Sequence, residues 1–131
     1  MTGPAAAARR DAGAAVVEFA LVAVLLSTLF AAVLQLGLAL YVRTTLVAAA
    51  ADGARYAARA DRTPEEGAAY TRAVIGRALS PAYARDVRPG YAEVDGLPVV
   101  AVEVRARLPV VGLLGPERAL VVRGHALREG R

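Results

Sequence analysis

The chain has 131 residues, no cysteine and a formal net charge of +4, and every one of its 16 basic residues is arginine. The length admits one domain, and the missing thiols exclude disulfide frameworks, thiolate metal sites and cysteine nucleophiles. The arginines interleave with Asp and Glu and form no basic block. The positive balance therefore reads as a solvated, slightly basic surface, with no nucleic acid expected as partner.

In chain order, the first element is announced by "RRDAGAAVVEFALVAVLLSTLF", residues 9–30. It opens on a basic pair and runs into an apolar stretch from Phe19 to Val42, 24 residues without a formal charge. At about 1.5 Å of rise per residue, a helix of that length crosses a bilayer core. A small domain cannot hide so long an uncharged run as a core helix. A cleaved secretory signal fits less well, because its apolar region is shorter and ends in a small-residue cleavage motif. A twin-arginine export signal also fits poorly, since Arg9 and Arg10 are followed by Asp11 and Ala12. Charge counting barely separates the two orientations, with Arg9 and Arg10 before the span and Arg43 and Arg55 after it. Glu18 sits at the edge of the apolar run, where a carboxylate is costly unless something pairs with it.

The next stretch, "RTTLVAAAADGARYAARADR", is alanine-rich and free of proline, so the spanning helix is expected to continue. The simplest reading is one helix from about Ala14 to Ala60. Asp52, Arg55, Arg59 and Arg62 recur at spacings of three and four along one face. Leu46, Ala49, Gly53, Tyr56, Ala57 and Ala60 line a face of small residues that another element or another copy can approach closely.

A second helix begins with Thr63 as N-cap, Pro64 at N1 and Glu66 at N3, which together make a capping box. Tyr70, Val74 and Ala78 are expected as its apolar stripe, and Ser80-Pro81 as its end. Beyond it the period changes to two. "YAEV" leads into Asp95-Gly96, a hairpin signal. In "VVAVEVRARL", Val100, Val102, Val104, Ala106 and Leu108 alternate with Ala101, Glu103, Arg105 and Arg107, the mark of a strand with one buried face. "PVVGLLGPE" is a connection and "RALVVRGHAL" a third strand. The expected fold class is α+β: a long N-terminal transmembrane helix continuing into a small domain with a short helix and a three-stranded antiparallel sheet.

Catalytic chemistry finds no support. His125 is the single histidine and has no Ser or Asp partner at motif spacing. Glu65 and Glu66 are accounted for by the capping box. "GLLGPE" lacks the Lys and Ser or Thr of a phosphate-binding loop. No enzyme activity, metal or cofactor is expected.

The residues Gly13-Ala14-Ala15-Val16-Val17-Glu18-Phe19 resemble the processing site of type IV pilin-like precursors. More narrowly, "GAAVVEFALVAVLLSTLF" is similar to the amino-terminal signature of TadE-like proteins, minor pseudopilins of tight-adherence (Flp-type) pilus systems. "AAAADGARYAARA" and the closing "VVRGHALRE" resemble later segments of that family. The resemblance implies a leader of residues 1–13, a transmembrane helix over 14–42 and an extracytoplasmic pilin-like domain over 43–131. It implies prepilin peptidase cleavage between Gly13 and Ala14. Ala14, Glu18 and Phe19 would then serve assembly, with Glu18 as the assembly carboxylate. Asp11 and Ala12 separate the arginine pair from Gly13, a departure that bears on the efficiency of cutting rather than its position. The implied partners are the peptidase, other pilin and pseudopilin subunits, the inner-membrane pilus assembly machinery and the lipid bilayer. The implied topology is single-pass, with the N-terminus cytoplasmic. The alternative is an unprocessed single-pass anchor whose extracytoplasmic domain binds a partner.

Overall fold

A computed structural model describes residues 4–107 and 119–129. The elements run α1 (Pro4–Ala57), α2 (Pro64–Ala78), a 3-10 turn (Pro81–Ala84), β1 (Asp86–Val94), β2 (Leu97–Arg107) and β3 (Ala119–Leu127). The strands form one antiparallel sheet in the order β1-β2-β3. This is the expected α+β architecture. The chain divides into two units, Met1–Leu36 and Gly37–Arg131.

α1 begins ten residues before the expected start at Ala14. The reason is local: Pro4 suits a first helical position, and the Ala and Arg that follow are strong helix formers. Within the first unit every residue from Val16 to Phe30 except Ala23 is exposed, with Phe19 at 75 % and Leu25 at 67 %. In the second unit α1 buries Val42, Leu46, Ala49, Ala50, Gly53, Ala54 and Ala57. Leu46, Ala49, Gly53 and Ala57 thus face inward as expected. Tyr56 is half-buried, and Ala60 is exposed beyond the end of the helix. The backbone N–H of Glu129 donates to the Ala58 carbonyl at 2.9 Å, so the tail after β3 satisfies an acceptor at the helix C-terminus.

α2 starts as its sequence dictates. The Thr63 backbone N–H donates to Glu66 Oε2 at 2.9 Å, and the Glu66 N–H donates to Thr63 Oγ1 at 3.3 Å. Its buried face, however, is not the one expected. Pro64, Gly67, Ala68, Thr71 and Ile75 are buried, whereas Tyr70 and Ala78 are exposed and Val74 is half-buried. The cause is the closeness of α1. A Cβ on Gly53 would overlap the Thr71 hydroxyl and come within 2.8 Å of the Gly67 carbonyl oxygen. A Cβ on Gly67 would lie 2.6 Å from the Gly53 carbonyl oxygen. At that separation only small side chains fit between the helices, so Tyr70 is displaced to the rim. There it stacks on Tyr56, with ring centroids 4.8 Å apart. The Thr71 hydroxyl, inside the gap, donates to the carbonyls of Gly67 at 2.9 Å and Ala49 at 3.4 Å. A buried hydroxyl is thereby satisfied without a side-chain partner.

The sheet covers the other side of this core. Val100, Val102, Val104 and Ala106 of β2 point inward with Val87 of β1 and Val122 of β3. Leu46, Ile75, Val102 and Val104 are fully buried and tie α1, α2 and β2 together. Gly124 of β3 lies against the Ala50 backbone, and any Cβ there would overlap it. The β1–β2 hairpin turns on Asp95 (φ 52°) and Gly96 (φ 77°), with Val94 opposite Leu97. Two successive positive φ values define the turn type that this dipeptide favours. β1 extends five residues upstream of "YAEV", through Arg88-Pro89-Gly90. Proline is tolerated because β1 is an edge strand with no ladder partner to lose on its outer side. Arg72 Nη2 donates to the Val87 carbonyl at 2.9 Å, joining α2 to that edge. Leu108 and the connection "PVVGLLGPE" lie outside the described residues.

Candidate processing and assembly site

Gly13, Ala14, Glu18 and Phe19 all lie on α1 and are all exposed. Ala14 and Glu18 are four residues apart, one turn, and so share a face. Among the described residues nothing within 4 Å would meet a Cβ at Gly13, so their packing does not require glycine there. In the free chain Gly13 is helical. None of the ion pairs among the described residues involves Glu18.

C-terminal to Glu18 the helix is apolar and unpartnered. Its most hydrophobic 18-residue window has a mean hydropathy of 2.4, and none of that window is buried in the protein. Thr28 hides its hydroxyl by donating to the Val24 carbonyl one turn back, at 2.7 Å. Large apolar side chains around the whole circumference suit lipid and not water. His125 sits exposed on β3 opposite Ala101.

A second cluster escapes the sequence reading, which treats Glu103, Arg105 and Arg107 only as the solvated side of a strand. On the outer face of the sheet Glu103 lies opposite Arg88 on β1 and Arg123 on β3, with Arg105 two residues along β2. Arg105 Nε donates to Glu103 Oε1 at 2.7 Å, and Arg123 Nε donates to Oε2 at 2.6 Å. The hydrogen bonds from Arg105 and then Arg123 hold the Glu103 carboxyl below its ordinary range. The Glu103 bond in turn raises the Arg105 guanidinium. Arg88 Nε is held separately by Asp86 at 2.9 Å. Alternation predicts that these side chains share a face, but which of them meet depends on strand register.

A long apolar helix, unburied among the described residues and ahead of a small α+β unit, has the length and composition to cross a membrane. Residues 13–55 match the model of the family described as TadE-like protein. This is the family that the opening stretch resembles, and the matched segment lies wholly within α1 and begins at Gly13. The likeness is to that segment, and the α2 and sheet residues of the small unit lie outside it. No curated protein and no solved structure matches the chain.

Proposed function

We propose that this chain is a minor pseudopilin, a structural or assembly subunit of a tight-adherence pilus, made as a precursor and cut by prepilin peptidase between Gly13 and Ala14. In this reading residues 1–13 are a cytoplasmic leader, 14–42 span the membrane, and 43–131 form the extracytoplasmic domain. Arg9 and Arg10 keep the leader on the cytoplasmic side.

The observation that carries the proposal is the placing of Glu18. It stands one helical turn after Gly13–Ala14, at the start of an apolar span that none of the described residues buries. Cutting at that bond creates an α-amine on Ala14, whose ordinary pKa of about 8 leaves it largely protonated near neutrality. Glu18 then pairs with the Ala14 amine of a neighbouring subunit, or of its own chain before assembly, and each charge relieves the other's desolvation. Removing one member of such a pair costs about 3–5 kcal/mol, because it strands the other. That penalty gives the subunits one preferred register. Phe19, beside the carboxylate and 75 % exposed, adds apolar area to the same contact.

Because Gly13 is helical before cutting, the peptidase must open the first turns of α1 to reach the scissile bond. Glycine disfavours helix by about 1 kcal/mol relative to alanine, so Gly13 makes the bond the easiest point to open. It also presents no Cβ to a narrow cleft.

The experiment is co-expression of Gly13→Leu with a prepilin peptidase and mass spectrometry of the membrane-extracted protein. The expected product is the uncut precursor. Recovery of a chain beginning at Ala14 from the Gly13→Leu variant would sink the cleavage assignment.

A further inference from the structure

The outer face of the sheet carries a built cationic site that neither cutting nor helix assembly uses. An open concavity of about 310 Å³ lies on it, floored by the small residues Gly90, Ala92 and Ala101 and rimmed by Arg88, Arg105 and Arg123. A side chain added at Gly90 would meet nothing, so the floor stays open. Three guanidinium groups stand against two carboxylates, Asp86 and Glu103, so one positive charge is left over.

The way the carboxylate is used matters more than the count. Glu103 engages Arg105 and Arg123 through their Nε atoms alone, one on each oxygen. Among the described residues no acceptor meets the Nη groups of either arginine. Glu103 is thus a positioning residue: it fixes two guanidinium planes side by side and leaves their outer N–H donors unspent. Its side chain is only 16 % exposed, which keeps the anchor in place while the arginines remain open to solvent. Two fixed forks with free donors match an acceptor that brings several oxygens and a negative charge.

We propose that this concavity binds a phosphate group, with Arg105 and Arg123 as the paired clamp and Arg88 closing the third side. The phosphate chemistry can be presented by a free ion, by a phosphodiester polymer of the cell surface or by a lipid head group.

The test uses the full chain in neutral detergent micelles, with the arginine side-chain N–H signals followed by NMR. Three titrants are added in separate arms: inorganic phosphate, poly(glycerol phosphate), and bicelles containing phosphatidylglycerol. Saturable shifts of Arg105 and Arg123 are expected with inorganic phosphate, and the arm that saturates at the lowest phosphate concentration identifies the source. The Arg105→Lys/Arg123→Lys double variant keeps the charge and loses both forks, and binding is expected to fall by about tenfold or more. Unchanged amide shifts in the Asp95-Gly96 hairpin will verify that this variant is folded. An unchanged affinity in the folded double variant, or no saturable shift in any arm, would overturn the proposal.

Discussion

Glu18 and Glu103 show how differently one side chain is treated in the two units of this chain. Glu103 stands among arginines that oppose its charge, and Arg105 and Arg123 lower its pKa. A carboxyl held low in the folded state stabilises the fold above its ordinary pKa of about 4.3 and loses that contribution as pH falls through the lowered value. Arg105→Ala is therefore expected to move the Glu103 titration midpoint upward, read from the side-chain carboxyl NMR signal between pH 2 and 6 (about the range in which carboxylates titrate). An unmoved midpoint would show that the Arg105 bond is not the main cause. Glu18 has no such company among the described residues. The proposed partner is the α-amine that cutting creates on Ala14. Glu18→Ala is expected to be processed at the normal site yet to fail in co-assembly with other pilin subunits, measured by co-purification and by counting pili. Normal piliation of Glu18→Ala cells would refute the pairing role.

Among the elements, the contact between α1 and α2 is the one that sequence alone describes incompletely. "AAAADGARYAARA" shows a small-residue face and leaves open whether another element or another copy fills it. The structure gives that face to α2 at Gly53 and to β3 at Ala50, where Gly124 makes the approach possible. The capping box and the Asp95-Gly96 turn are legible because they are local: each is set by a few consecutive residues and their φ preferences. The orientation of α2 is not, because it depends on which residues of a distant helix leave room. Tyr70 looks like a core residue by composition, and it is the glycine-to-glycine closeness that moves it to the rim. Gly53→Leu should then be strongly destabilising. A loss of about 3 kcal/mol or more is expected, comparable to severe overpacking, in thermal or denaturant unfolding of the detergent-solubilised chain. Gly76→Ala, where a Cβ meets nothing, should be neutral or slightly stabilising. Equal stability of the two variants would contradict the close crossing.

Taken whole, the molecule separates two tasks along one helix. The N-terminal part of α1 has the length and composition to cross a membrane, and its apolar residues are exposed among the described residues. The C-terminal part of α1 is a core helix of the α+β unit, buried at Val42, Leu46, Ala49, Ala50, Gly53, Ala54 and Ala57. The family match spans both parts, from Gly13 to Arg55. Much of this division is readable from hydropathy and from the change of period beyond Ser80. The Gly13–Glu18 spacing is equally plain in the sequence, since both residues lie on one short local stretch. What the sequence hides is the outer-face arginine cluster, whose members come from three strands and meet only through register.

The central claim is that Glu18 acquires its partner when the Gly13–Ala14 bond is cut. Intact-mass and N-terminal peptide mass spectrometry of the wild-type protein, extracted from membranes of cells carrying a prepilin peptidase, tests it most directly. The account predicts a mature chain that begins at Ala14 and lacks residues 1–13. A chain that begins at Met1 or Thr2 under those conditions would contradict it and leave a plain membrane anchor.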